Sequence, residues 1–438
     1  MTPLERAIRK STVRIIPILT LGMLINYIDR TSVSFASLTM NEDVGISAAA
    51  FGFAAGAASL GYSLFEFPSN LALYRLGARR WLARIMITWG LAVAATCFVT
   101  GPTSYSILRF LLGAFEAGYF PGAAFLLTRW FPAGHRTRAL AWLSLGVPLG
   151  NMLGGPIASL VTHLNGALGL AGWQWIFISE GAPACILGII LLLFIVNDPS
   201  EAKWLAPDER EALTTALRTE SRHQPKRHIR AALADVRVVL LVLVQFGFVL
   251  GGYGIAIWLP QILKGYSLST STIGWLAAVP YMFSSVAMLT WARQADRRGG
   301  SAVNLVIACS VSAAGLIMST LFHSLTMALV SLTIALIGSD SARGIFWVIP
   351  TRFLADRAAA GGLAFINSLG ALGGFVGPYL VGVIKQSSGS FAPAALALSG
   401  FLVLSAILSA VLLVILRRVA DGQRAVDINP VTATGEAA

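Results

Sequence analysis

Along most of the chain, runs of about 20 predominantly apolar residues alternate with short polar connections, the length a helix needs to cross the ~30 Å hydrocarbon of a bilayer. The first runs from about Val13 to Leu38 and the second from about Ala50 to Leu73, and about twelve follow one another in this way. One polar interval is longer: between about Asn197 and Asp235 the chain reads DPSEAKWLAPDEREALTTALRTESRHQPKRHIRAALAD. In it, Pro207 followed by Asp208 and Glu209 predicts the start of a short surface helix, and the basic run beyond suits anionic headgroups. The pattern predicts an all-α membrane protein of twelve transmembrane helices in two six-helix bundles, residues 1–197 and 236–438, joined by a linker over 198–235.

Polar residues inside the apolar runs mark where the helices line something other than lipid. The stretch from Ser104 to Pro132 carries Arg109 and Glu116. A charge at bilayer depth costs at least ~2.5 kcal/mol, so such residues face a bundle interior or a cavity. Seven residues apart, the two share one helical face, roughly 10 Å apart along the axis. The first span holds Asp29 and Arg30, which point about 100° apart on a helix, so at most one can face a central cavity squarely; a local ion pair that merely lowers the cost of burial is the alternative. The second span carries Tyr62 and Glu66, the latter near the helix end, where a charge costs less and a structural role suffices. Glu180 in the sixth is expected to serve packing or hydrogen bonding. Small residues supply the contacts: Gly52, Gly56 and Gly61 in the second span, and Gly146, Gly150 and Gly154, a four-residue spacing that lays a flat seam along one face of the fifth.

The second half repeats the first. Arg75 and Arg297, Gly77 and Gly299, Gly155 and Gly377, and Pro156 and Pro378 are each 222 residues apart. Duplicated halves are how transporter folds are built. At the same offset Asp29 maps to Gly251 and Glu116 to Gly338, so the ionisable chemistry is concentrated in the first half. The second half offers Gln245, Tyr253, Trp258, Tyr281, Trp347 and Asn367, of which Tyr253 and Trp347 are the aromatic candidates for a substrate contact. Asp340 and Arg343, one turn apart, either compensate each other or meet the substrate.

Composition agrees: 56% of the 438 residues are hydrophobic and 12% charged, against about 25% charged in soluble domains. The net charge of +12 would suit nucleic acid, but its distribution does not. Arginines and lysines gather in alternate connections (Arg75, Arg79, Arg80 and Arg84; Arg129, Arg136 and Arg138; Lys203 to Arg237; Arg293, Arg297 and Arg298; Arg352 and Arg357), and the intervening loops hold little beyond Lys264 and Lys385. The positive-inside rule then predicts cytoplasmic termini and even-numbered connections. The three cysteines, Cys97, Cys185 and Cys309, fall in separate spans and imply neither disulfides nor a metal site. The apolar run after Arg14 is span-length with no small-residue cleavage pattern, so the first span is expected to be retained. No catalytic constellation, phosphate loop or cofactor motif is present, and an enzyme is not expected.

Several segments together resemble the major facilitator superfamily, and within it the anion:cation symporters, the tartrate- and phthalate-type organic-anion permeases in particular. These are YIDR at Tyr27 to Arg30, FEFPSNLALYRLGARRWLARIMITWG at Phe65 to Gly90, LRFLLGAFEAGYFPG at Leu108 to Gly122 and GWQWIFISEGAPA at Gly172 to Ala184. EAKWLAPDER at Glu201 to Arg210, ADRRG at Ala295 to Gly299 and INSLGALGGFVGPYL at Ile366 to Leu380 complete the set. The resemblance implies that Asp29 and Glu116 exchange protons, that Arg30 and Arg109 serve the anion and the carboxylates in turn, and that Tyr62 and Asn367 touch substrate. It also implies gating roles for Arg75, Gly77, Arg79, Asp296 and Arg297, although the first-half loop has Asn70 and Tyr74 where the superfamily ordinarily carries Gly and Asp.

The function so implied is proton-coupled import of a small organic carboxylate by alternating access, in a monomer of the bacterial cytoplasmic membrane, with protons, substrate and lipids as its partners. An arginine fork matches carboxylate geometry, and protonating Asp29 or Glu116 would free an arginine for the anion. Exchange of phosphate esters for phosphate, and a non-transporting membrane sensor, are the alternatives.

Overall fold

A computed structural model describes residues 1–221, 235–298, 300–322, 324–350 and 356–427. The basic run of the linker, Arg352 and Gly299 lie outside the described residues, and the side chains of Asp296 and Arg357 are likewise not described. Twelve segments are long and apolar enough to cross a membrane, and among the described residues there is no β-strand. Each span buries one face on its neighbours and leaves apolar side chains such as Leu64, Leu193 and Trp275 on the outer surface, as lipid-facing helices do.

The first half comprises α1 (Pro3–Asp43), α2 (Ala48–Leu76), α3 (Ala78–Ala95), α4 (Pro102–Glu116), α5 (Tyr119–Trp130), α6 (Ala133–Val161) and α7 (Gly172–Phe194). The linker helix α8 (Pro207–Ser221) begins at the expected Pro-Asp-Glu signal. The second half comprises α9 (Val236–Lys264), α10 (Thr270–Arg298), α11 (Ser301–Leu321), α12 (Leu325–Phe346), α13 (Asp356–Gly370), α14 (Gly373–Ser388) and α15 (Ala392–Asp427). The repeat read from sequence is visible in the elements: α2 and α10 are both 29 residues long and begin 222 residues apart.

Among the described residues two spans are interrupted, one in each half, and not at equivalent places. The span expected over 104–132 as one helix is broken immediately after Glu116. Ala117 turns extended, and Gly118 adopts φ +90°, the left-handed conformation that favours glycine and ends helices. The broken ladder frees the Ala117 carbonyl, which accepts the Ser69 hydroxyl at 2.6 Å, and Ser69 in turn accepts the Trp81 indole N–H at 3.0 Å. Broken spans are tolerated at membrane depth where packed protein re-satisfies the backbone in this way. In the second half the interruption falls between α13 and α14, just past Asn367.

The glycine seam of the fifth span packs as the spacing requires. Gly146, Gly150 and Gly154 lie against Leu24, Tyr27 and Thr31 of α1, where a Cβ on Gly150 would meet that of Tyr27 at 2.5 Å. Gly52 and Gly56 of α2 instead press on Pro378 and Phe375 of α14, so their small size joins the two halves.

Contacts between the halves gather at the end of the molecule away from the termini. There Gln261 donates to Ser37 Oγ at 3.0 Å, Lys264 pairs with Glu42 at 2.9 Å, Ser159 donates to the Ser271 carbonyl at 3.3 Å and Gln386 accepts the Ala49 N–H at 3.0 Å. Towards the termini the halves meet at Glu66 and Asn367. The halves therefore form a vault closed at the end away from the termini, with the linker at the other end. At the linker end Lys10 and Arg6 of α1 hold Glu209 of α8, and the linker ahead of α8 is moored to the first half by Arg129 on Asp198 at 2.9 Å and by Trp204, which stacks on Trp130 with Arg14 over its ring.

Candidate functional site

At the apex of the vault α1 passes α9, and the neighbours Asp29 and Arg30 separate around the helix. Asp29 is fully buried behind α1, while 26% of the Arg30 side chain remains accessible. The alternative of a local ion pair between them does not form. Arg30 reaches Glu116 instead: its Nε donates to Glu116 Oε1 at 3.1 Å and its Nη2 donates to the same oxygen.

The end of α4 explains this partnership. Glu116 is the last residue of α4, where the helix dipole already places partial negative charge. A carboxylate buried there, 4% exposed, requires a cation, and the break at Ala117 and Gly118 turns it towards α1. Arg30 Nη1 donates to the Tyr253 hydroxyl across the seam at 2.7 Å, and its guanidinium lies over the rings of Tyr27 and Tyr62 at 5.2 and 5.5 Å. One arginine thus joins a carboxylate of the first half to a phenol of the second. Arg343 lies 5.9 Å from the Tyr253 ring. It stands 3.9 Å from Asp340, which also accepts the Ser284 hydroxyl at 2.8 Å.

A second polar group is sealed inside the first half, behind α1. Asp29 accepts the Trp89 indole N–H at 3.3 Å, and Arg109, only 2% exposed, is the cation that acts on both Asp29 and Glu180. Among the described residues Asp29 Oδ1, Arg109 Nε and Nη1 and the Tyr105 hydroxyl lack direct hydrogen-bond partners, and Glu180 lies beside Ser32. Buried polar atoms are ordinarily paired, so this group stands apart from the rest of the bundle interior. Arg109 and Glu116 share a face of α4 but serve different groups, Arg109 inward and Glu116 at the seam.

Tyr62 and Asn367 reach the vault. Asn367 Nδ2 donates to both Glu66 oxygens at 3.3 and 3.2 Å, and its own Oδ1 accepts from Gln245 at 3.4 Å. Glu66, read from sequence as structural, is therefore a cross-half contact. The signal was available: Tyr62 and Glu66 are four residues apart and share a face. Trp347 follows the end of α12, its ring edge-on to Phe346 at 5.2 Å, and no contact among the described residues brings it to Arg30.

The candidate gating residues whose side chains are described lie at the linker end. Gly77, φ +83°, turns α2 into α3 against the Asn197 side chain, which also accepts the Arg79 backbone N–H at 2.9 Å; Arg79 Nε donates to the Leu192 carbonyl at 2.7 Å. Arg75 is exposed in the last turn of α2, and Arg297 is exposed near the end of α10. No cluster of potential metal ligands occurs among the described residues.

Comparison with known proteins agrees with this architecture. The chain is 46% identical over 409 residues to a protein of Agrobacterium vitis named "Putative tartrate transporter", covering 93% of this chain and 91% of the relative. It is 39% identical over 389 residues to the "Quinolone resistance transporter" of Acinetobacter baumannii, covering 88% and 90%. Among solved structures, the bacterial homologue of the human lysosomal transporter Spinster, inward-facing and occupied, superposes with a TM-score of 0.76 at 18% identity, over 92% of this chain and 96% of that one. Residues 19–378 match the Major Facilitator Superfamily. That match runs from the first span to the eleventh and takes in both halves of the vault, and the chain belongs to the Major Facilitator Superfamily.

Proposed function

We propose that the protein is a proton-coupled symporter that imports a small organic carboxylate by alternating access. The observation that carries this reading is the position of Arg30 at the seam, held by Glu116 of one half and Tyr253 of the other. A substrate carboxylate that takes the guanidinium fork must displace Glu116, and protonating Glu116 releases the fork. Proton and anion then bind together. The sealed group of Asp29, Arg109 and Glu180 offers a second proton-holding site behind the first. The name of the Agrobacterium relative, a tartrate transporter, supports the anionic substrate class. With cytoplasmic termini, as the basic loops imply, the linker end faces the cytoplasm of a bacterial inner membrane, and with the far end joined we infer that this conformation is inward-open. Import then requires the far-end contacts to part while the linker end closes.

The test is uptake into proteoliposomes of labelled small carboxylates with and without an inward proton gradient. Accumulation dependent on the gradient and lost in Arg30→Ala supports the reading; gradient-independent uptake refutes the coupling. Arg343 on the far side of Tyr253 favours a second reading, exchange of a phosphate ester for phosphate between arginines of opposite halves. Counterflow of phosphate without proton movement would favour that alternative.

A further inference from the structure

The geometry points to Glu66 as the residue that reads hydroxyl groups on the substrate, so that the transporter selects hydroxylated carboxylates over their deoxy and aromatic counterparts. This rests on the organic-anion reading above and narrows it. Apart from the arginines and Glu116, which Arg30 holds, the polar side chains described around the seam include one carboxylate, two amides and three phenols: Glu66, Asn367 and Gln245, and Tyr27, Tyr62 and Tyr253. Amides and phenols both donate and accept, whereas an ionised carboxylate only accepts.

An acceptor-only group facing an anion-binding arginine repels an anionic substrate unless that substrate brings donors of its own. A plain dicarboxylate or a phthalate has none to offer once ionised. A hydroxy acid has a donor on the carbon next to the carboxylate that occupies Arg30. The Glu66 carboxylate has acceptor capacity to spare: two oxygens provide about four lone-pair directions, and Asn367 takes one on each oxygen while Tyr62 faces it from the preceding turn. A substrate hydroxyl can therefore join the Asn367 amide on Glu66 without stripping it.

Glu66 and Asn367 also belong to opposite halves. A hydroxyl donated to Glu66 beside the Asn367 amide would sit at the contact that joins the two bundles, as a carboxylate on Arg30 would sit between Glu116 and Tyr253. A substrate so bound has its charged end read at one cross-half contact and its hydroxyls at the other. Sites built around hydrogen bonds to a hydroxyl reject the analogue that lacks it far more strongly than apolar pockets discriminate by size, because the buried polar partners are left unpaired.

The experiment measures dissociation constants for the purified full-length protein in nanodiscs against two matched pairs, tartrate with succinate and gluconate with hexanoate, and against phthalate. In whichever pair binds, the hydroxylated member is expected to bind about 100-fold more tightly. Glu66→Leu is expected to bring it down to the level of its deoxy partner without weakening the latter. Glu66→Gln, which keeps an acceptor oxygen, should retain part of the preference and guards against a Leu variant that fails to fold. Equal binding within the pairs, tightest binding of phthalate, or an unchanged preference in both Glu66 variants would overturn the assignment. If none of the five acids binds, or if Arg30→Ala leaves their binding unchanged, the organic-anion reading itself fails.

Discussion

Replacing Glu116 by Gln separates the structural and coupling roles of the seam. In the native protein two donors of Arg30 converge on Glu116 Oε1, and a substrate carboxylate competes for the same fork. Removing one partner of a fully buried pair costs about 3–5 kcal/mol. Arg30 is partly accessible and keeps the Tyr253 hydroxyl and two tyrosine faces, so about 1–2 kcal/mol is the expected loss of stability. The effect on binding has the opposite sign. If one proton must bind for each anion, affinity is greatest at low pH and, above the titration of the linked acid, falls about tenfold per pH unit, or ~1.4 kcal/mol. A neutral Gln leaves the fork available at every pH, so the variant should keep the low-pH affinity and bind more tightly than the native protein at pH 8. The assay is the dissociation constant against pH, with substrate exchange and gradient-driven uptake measured in the same liposomes. Exchange should persist and accumulation should be lost. A variant with the native pH slope, or with full proton-driven accumulation, would refute the role of Glu116 and move the proton site to the Asp29 group.

Further outcomes follow from other parts of the structure. Asp29→Asn and Arg109→Met should each lower the melting temperature in detergent, because either change leaves a buried charge short of a partner, and the double variant should lose less than the sum; additive losses would mean that the two do not interact. Ser159→Cys with Ser271→Cys, in a background freed of the native cysteines, should cross-link the closed end and stop transport until reduced, since Ser159 donates to the Ser271 carbonyl at 3.3 Å. Undiminished transport by the cross-linked form would show that this end need not open. Lys10, followed by the Ala206 N–H and Arg6, holds the Glu209 carboxyl below its usual range. The mooring of α8 is therefore intact above the ordinary glutamate value of about 4.3 and is lost only as the pH falls below it. Hydrogen exchange of α8, corrected for intrinsic rates, should rise on acidification, and should already be raised at pH 6 in Glu209→Gln; equal protection throughout would remove Glu209 from the mooring.

The sequence by itself determined the twelve spans, their repetition in two halves, the seam of Gly146, Gly150 and Gly154, and the presence of ionisable chemistry at membrane depth. These follow from local rules: hydrocarbon forces the backbone into helices, tolerates charge only away from lipid, and lets helices approach closely where side chains are small. Which charges pair was decided by tertiary structure. Adjacency suggested Asp29 with Arg30, but their divergence around α1 sends one behind the helix and the other to Glu116, 86 residues distant. Arg109 and Glu116 share a helical face as their spacing required, yet the break after Glu116 gives them different partners. Glu66 read as an inexpensive charge near a helix end because its partner, Asn367, lies 301 residues away in the other half. A hydrophobic pattern records which face a residue turns to its neighbours, whereas an ion pair depends on how far two helices are translated and rotated against each other. That relation exists only once the bundle has packed.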